Sequence, residues 1–441
     1  MTLSAGGSSP ENHRFVFLLD SYYPQPLPNG ICVHRVALAL LRMGCDVHVI
    51  AYRFPGQTTA EEIEGVKVHR IRPGLHRRLK QIGTARPPGL VRKLSLRAAR
   101  LVRWFQKLLL LPWFPSSSPA SIYRFFRATL SIHRAKPLSC VISVFHPDET
   151  LRAGALIKRR IPDIPHGVYV LDSLIYLSGA QYIPYPLRKR LHWRFTQNVY
   201  DSADVVYNME CHRAHHDSSN YDGLRSKMEF LDIPLYEPAT PQLTEALYPS
   251  EKTHLVYLGS LFQGFRQPDY LISLFRAAVY DDSYQLHFYS RGSCEETLAH
   301  AVEESRGAVS SHGFVGHAEV PNILANADIL VNIGVSNSTA ISSKIFEYMS
   351  TGKPVLHIYY LDDDVNLSYL ASYPRSLSVQ ISDDPAHFRQ DVTRMRDFLV
   401  AARSADPRVD QGLAAFERNT PEFTARRFLR LAEGRISGES D

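Results

Sequence analysis

With 441 residues, 44% hydrophobic and 21% charged, the chain has room for two or three domains with full cores and an ordinary globular composition. No apolar run reaches the ~18 residues that span a bilayer, and residues 1–12 (MTLSAGGSSPEN) are small and polar, a loose tail rather than a secretory leader. Five scattered cysteines (Cys32, Cys45, Cys140, Cys211, Cys294), odd in number and without C-x-x-C spacing, favour free thiols in a reducing compartment.

The net charge of +6 conceals an asymmetry. Residues 65–147 hold no Asp or Glu and 17 Lys or Arg, so the remainder is net acidic, 33 basic against 44 acidic side chains. A field of one sign over one region faces an anionic partner: nucleic acid, a phospholipid surface or a phosphorylated substrate.

In chain order, RFVFLLD (14–20) reads as a strand. A proline-rich loop, SYYPQPLPNG, leads into a helix with Val33, Val36, Ala37, Leu40 and Leu41 on one face, ended by Gly44. CDVHVIAY is the next strand, completing a right-handed parallel βαβ unit. Residues 67–135 are less regular. Within them, 90–114 has the pattern of a basic amphipathic helix: Leu90, Leu94, Ala98, Leu101, Trp104, Phe105 and Leu108 line one side. Arg92, Lys93, Arg100, Arg103 and Lys107 lie mostly off it. Strands follow at 139–145, 166–173 and 203–209, with a helix near 150–160.

Residues 238–253 read as a linker. Beyond them, strands at HLVYLGS, YQLHFYS, VSSHGFV, ILVNIG and PVLHIY alternate with helices, the pattern of a second parallel α/β domain. A last helix near 422–433 is expected to return to the first domain. The architecture so read is two Rossmann-like domains whose parallel sheets face a cleft. Ligands of such sheets bind outside the strands' carboxyl ends.

The helix in SSKIFEYMSTGKPVL (342–356) carries Lys344 in its first turn, where the helix dipole disfavours a cation. Spacing leaves two readings: a lysine that shares an anion with the helix N–H groups, or one paired with Glu347 at i+3. Glu347 lies on the side of Ser343, where a carboxylate can accept two ribose hydroxyls. In YLGSLFQGFRQP (257–268), Gly259 permits close backbone approach, and Arg266 can clamp a diphosphate bidentately or stand solvated. Arg266 and Lys344 belong to loops on one rim of the sheet.

SSKIFEYMSTGKPVL resembles the signature of retaining glycosyltransferases of the GT-B fold, in particular glycosyltransferase family 4. YLGSLFQGFRQPDYLISLF is similar to their Gly-Ser-Leu…Arg loop, and ANADILVNIG to the strand before their donor loop. The resemblance covers most of residues 250–360 and is fainter over 14–50 and 139–173.

It implies an N-terminal acceptor domain (13–237), a nucleotide-sugar domain (254–414) and a C-terminal return (415–441). It implies that Glu347 holds the ribose of a UDP- or GDP-sugar, and that Arg266 and Lys344 hold its diphosphate as it leaves. Gly259, Ser260, Ser343 and residues 334–339, including Asn337, Ser338 and Thr339, would border the donor. Gly30 would approach its phosphate, and His146 would line the sugar pocket. Many members have a second acid eight residues before Glu347, where this chain has Thr339.

The chemistry implied is electrostatic and requires no metal or other cofactor. The run Asp362–Asp364 reads as a solvated acidic loop. The cluster CHRAHHD (Cys211, His212, His215, His216, Asp217) matches no strong zinc spacing. The basic 90–114 segment is expected either to lie on an anionic membrane or to pack its leucines on the domain behind a solvated basic face. No nucleic-acid module is recognisable.

The expected protein is a cytoplasmic glycosyltransferase, peripheral on the inner membrane face, with a glycan or lipid-linked acceptor and a role in surface polysaccharide synthesis. A sugar-nucleotide epimerase and a non-catalytic partner subunit are the alternatives.

Overall fold

The computed structural model describes residues 13–84, 87, 89–109, 114–115, 118–171, 174, 183–237, 243–316, 318–336, 341–404 and 415–435. The chain forms two compact units, Met1–Pro234 with Arg418–Asp441, and Leu235–Glu417.

Unit 1 runs β1 (Arg14–Leu18), α1 (Pro28–Arg42), β2 (Asp46–Tyr52), β3 (Ala60–Ile63), β4 (Val66–Ile71), α2 (Leu75–Thr84), α3 (Leu90–Leu109), α4 (Pro119–Ala135), β5 (Cys140–Phe145), α5 (Asp148–Arg160), β6 (His166–Val170), α6 (Tyr185–Ser202), β7 (Val205–Met209), α7 (Arg213–His216) and β8 (Met228–Leu231). Its sheet has the order β3-β4-β2-β1-β5-β6-β7-β8. All these strands are parallel except β3, which pairs antiparallel with β4. Helices cover both faces, so β1, β5 and β6 are buried throughout and are mostly apolar rather than alternating. The strand order reverses between β1 and β5.

Unit 2 runs β9 (Thr253–Leu261), α8 (Asp269–Ala278), β10 (Tyr284–Gly292), α9 (Glu295–Glu304), β11 (Val309–Ser311), α10 (Val320–Asn326), β12 (Ile329–Ile333), α11 (Ser343–Ser350), β13 (Val355–Tyr359), α12 (Asn366–Ala371), β14 (Ser376–Gln380) and α13 (Pro385–Ser404). Its parallel sheet is ordered β11-β10-β9-β12-β13-β14. β11 is shorter than its apolar pattern suggests, because Gly313 turns the chain at φ +72°. β14 (SLSVQ) has too few apolar residues to stand out in the sequence. Residues 243–253, in the expected linker, lie on this unit: Asn322 Oδ1 accepts from the Thr244 and Glu245 N–H groups, and Asn326 Oδ1 from that of Leu247.

After unit 2 the chain returns as α14 (Pro421–Ala432), which packs on α1. Thr420 caps its start, its hydroxyl accepting from Phe423 N at 3.2 Å. Phe428 is fully buried, with ring centroids 5.9, 5.4 and 5.0 Å from Phe17, Tyr169 and Tyr207 of three different strands. Leu431 occupies the space that Gly167 leaves.

α2 and α3 form a hairpin on unit 1. They approach closely at Gly83, where a Cβ would lie 2.8 Å from Leu96. Leu96, Ala99 and Val102 line the inner face of α3. Of the stripe expected within 90–114, the described large apolar side chains are therefore not packed on the domain. Leu90 (72% exposed), Leu94, Leu101 (57%), Trp104 (52%) and Phe105 point outward. Gly83 of α2 decides this, since the absence of its side chain lets Leu96 on the opposite face of α3 come close. Trp113 and the side chains of Lys107 and Leu108 lie outside the described residues.

Candidate active site

The corner of interest in unit 2 lies at the carboxyl ends of β9 and β12. These strands are adjacent in the sheet though about 70 residues apart in sequence, and the strand order reverses between them. β9 runs into a tight hairpin in which Phe262 N donates to Arg266 O (2.9 Å) and Arg266 N to Phe262 O (2.8 Å), with Gly264 at φ +70°. Ser336, after β12, bonds this hairpin twice: its N–H to Phe265 O and its hydroxyl to Gly264 O, both at 2.8 Å. Gln267 N donates to the Tyr360 hydroxyl at 2.9 Å. The loops after β9, β12 and β13 are thus tied together, and the placement of Arg266 follows from that.

Arg266 Nε is buried and has no hydrogen-bond partner among the described residues. Its guanidinium lies beside Tyr257 and Lys344. Lys344 reaches back from the first turn of α11 to donate to the Leu258 carbonyl at the end of β9. Gly259 makes room for it: a Cβ there would lie 2.6 Å from the Lys344 ammonium. Burial, reinforced by Arg266 and Arg291 and opposed by Glu347, pushes Lys344 down to about 8.

Ser342 holds the N-cap position of α11, but its hydroxyl makes no capping bond. It donates instead to Asn332 Oδ1 at 2.9 Å, and of the first-turn N–H groups that of Ile345 is taken by the Ser342 carbonyl at 3.2 Å. Ser260 and Ser343 are half-buried at this corner, and Glu347 is exposed one turn further along α11. Asn337, Ser338 and Thr339 lie outside the described residues.

Behind the corner is a polar ring the sequence did not suggest. Asn332 Nδ2 bonds His357 Nδ1 (2.9 Å), His357 Nε2 faces Asp364 Oδ2 (3.5 Å), Asn366 Nδ2 donates to Asp364 Oδ1 (2.6 Å), and Asn366 Oδ1 accepts from Ser342 N (2.8 Å). The Ser342–Asn332 bond closes it. Asp364 is therefore not part of a solvated acidic loop. It is 8% exposed, while Asp362 and Asp363 face solvent. Burial alone would raise its pKa, but His357 and Asn366 hold it below the usual carboxylate range. The readable signal was an Asn and a His inside otherwise apolar strands, ILVNI and VLHIY.

Unit 1 brings two further residues to one rim. Helix α1 starts at Pro28, so Gly30 sits in its first turn rather than in the preceding loop. Its missing side chain is explained by the chain's own packing, because a Cβ would lie 2.5 Å from Ser21 O. Asn29 Nδ2 donates to Phe145 O (2.7 Å), joining the start of α1 to the end of β5. His146 follows there, exposed, its ring 3.8 Å from that of Phe145. Gly30 and His146 thus belong to unit 1, and the remaining described candidates to unit 2. The His212–His216 segment is engaged internally: His216 Nδ1 bonds the His212 carbonyl (2.9 Å) and His215 Nε2 the Tyr221 hydroxyl (3.2 Å).

Residues 252–360, which contain this corner, match the family described as "Glycosyl transferases group 1". Across the whole chain, the structure is similar to a sucrose-phosphate synthase from Thermosynechococcus elongatus (TM-score 0.59, 13% identity, 96% of this chain and 98% of that one). It is also similar to a glycosyltransferase from Rickettsia africae (0.60, 10%, 97% and 100%). A UDP-forming α,α-trehalose-phosphate synthase from Burkholderia xenovorans, solved with glucose-6-phosphate, is a third (0.56, 9%, 96% and 100%).

The fold is GT-B. Unit 2 of this GT-B chain holds the segment that matches the group 1 glycosyltransferase family, and Arg266 and Lys344 both fall within it. No curated protein sequence matches the chain.

Proposed function

We propose that the protein transfers a sugar from a nucleoside-diphosphate donor, held at the β9–β12 corner, to an acceptor held by unit 1. The observation that carries this reading is the pairing of Arg266 and Lys344 at the uncapped start of α11. Two partly buried cations repel each other, and a diphosphate between them converts that cost into attraction. As the glycosyl–phosphate bond breaks, charge grows on the diphosphate while the sugar becomes oxocarbenium-like. Arg266, Lys344 and the α11 N–H groups oppose that charge more strongly in the transition state than in the ground state.

Glu347 is read as the ribose partner and His146 as a sugar-pocket residue. Gly259, Ser260, Ser343 and Asn337–Thr339 border the donor, and Gly30 approaches its phosphate. The reaction so read proceeds with retention and without a metal, so activity should withstand EDTA. Thr339, where a glutamate is expected, favours a second reading, a partner subunit without transfer activity.

The outward apolar stripe of α3 is flanked by Lys93, Arg97 and Arg100. It supports a peripheral position on an anionic membrane, on the cytoplasmic side, with a lipid-linked or glycan acceptor of surface polysaccharide synthesis. No helix among the described residues is long and apolar enough to cross a membrane.

The test is nucleotide release from UDP-, GDP- and ADP-sugars with and without membrane lipid extract. Release that requires extract is expected. Interconversion of the sugar without acceptor would indicate an epimerase, and absence of nucleotide binding would indicate the subunit. The anomeric signal of the product by NMR tests retention.

A further inference from the structure

Between the α2–α3 hairpin and the carboxyl rim of β1 and β2, unit 1 has an open cleft of about 690 Å³. That is the size of a small-molecule site. Four cations border it: Arg77 and Lys80 from α2, Arg100 and Arg103 from α3. Arg77 is neutralised within the fold. It donates to Asp20 Oδ1 at 2.5 Å and lies over the Tyr52 ring at 4.8 Å, which pins the hairpin to the sheet. Among the described residues, Lys80, Arg100 and Arg103 form no hydrogen bond or ion pair through their side chains. His76, in the same wall, bonds Gln106 Oε1 at 3.1 Å. Burial first, and then Arg77, Arg103 and Lys80, push it down to about 4.

Three uncompensated cations around one cavity match a group with more than one negative charge and several acceptor oxygens, and arginine forks match phosphoryl oxygens in particular. The cavity exceeds the needs of a bare ion, and Leu27, Leu96 and Ala99 give part of its wall an apolar surface. We propose that this cavity seats a phosphate-bearing head group, and that the acceptor is therefore phosphorylated. The inference rests on the reading of unit 1 as the acceptor half and names the chemistry of what it accepts. The geometry of α3 accords with it: the helix turns Arg100 and Arg103 toward the cavity and its apolar stripe away from it.

The experiment is calorimetric titration of the full chain with glycerol 3-phosphate and with dihexanoyl phosphatidic acid below its micelle concentration. Native protein is compared with a Lys80→Ala, Arg100→Ala double variant and with an Arg266→Ala, Lys344→Ala double variant. Both side chains in the first pair are exposed, so folding should survive, and a melting curve checks it. The first pair is expected to weaken phosphate binding at least about tenfold, from the loss of two charge-assisted contacts. The second pair should leave it unchanged.

Equal affinity for the two probes assigns recognition to the phosphate alone. Tighter binding of the lipid assigns the acceptor to a lipid. If neither probe binds, if the first pair has no effect, or if the second pair abolishes binding, the proposal is overturned. Titration with UDP in parallel keeps the donor reading separate: its failure would leave the cavity result standing, and the reverse.

Discussion

The two basic regions of this protein are built in opposite ways. At the β9–β12 corner, the hairpin fixes the Arg266 backbone, Lys344 is tethered to the Leu258 carbonyl, and a buried polar ring holds the start of α11. In the α2–α3 hairpin, Lys80, Arg100 and Arg103 are exposed and stand on surface helices. The first arrangement suits a transition state, because groups already in place need not reorganise as charge develops. The second suits capture, where long-range attraction matters and geometry is less exacting. Placement, more than charge count, separates chemistry from attraction.

The largest expected effect comes from removing the fixed pair. Arg266→Ala with Lys344→Ala should weaken nucleotide-sugar binding by about 100-fold or more, as two charge-assisted interactions are lost. Calorimetric titration with each nucleotide measures it, and unchanged affinity would end the donor reading. Next is the ring. Asn332→Ala leaves Ser342 Oγ and His357 Nδ1 without their partner and should cost about 1–3 kcal/mol in urea unfolding, together with nucleotide affinity. A variant that lost stability but kept affinity would show that the ring supports the core and not the site.

The third is a pH effect. Lys344 holds a diphosphate best when protonated. With its free-state pKa near 8, affinity should fall as pH rises through that value, by up to about tenfold between pH 7 and 9. Lys344→Ala should flatten the profile. The smallest effect on stability belongs to the hairpin. Leu101→Glu or Trp104→Ala, on the exposed stripe, should alter unfolding free energy by no more than about 0.5 kcal/mol. Each should nonetheless reduce cosedimentation with anionic vesicles, and added salt should weaken the native protein's binding. Binding indifferent to salt and lipid charge would remove the membrane from the picture.

Alternation of apolar strands with amphipathic helices made the α/β character of both halves legible, and Lys344 stood out as a cation in the first turn of a helix. Strand order was not legible. Nothing in the spacing of Arg266 and Lys344 says that β9 and β12 are neighbours, because the two strands meet only through long-range pairing. Asp364 was misread because its partners, His357 on the preceding strand and Asn366 at the start of the following helix, are brought to it by the turn between them. The α3 leucines were ambiguous because an apolar stripe does not say which side of a helix is covered. Ala99, Gly83 and Leu96 settle that through packing.

Unit 2 interrupts unit 1 in the chain, and this bears on synthesis. Phe428 of α14 completes a layer begun by Phe17, Tyr169 and Tyr207. A nascent chain that has reached residue 234 must wait for roughly 190 more residues, or about 10–40 s at ordinary elongation rates, before that layer can close. Meanwhile the greasy side of the early strands has no lid of its own, which makes the half-made polypeptide a natural client for a ribosome-bound chaperone.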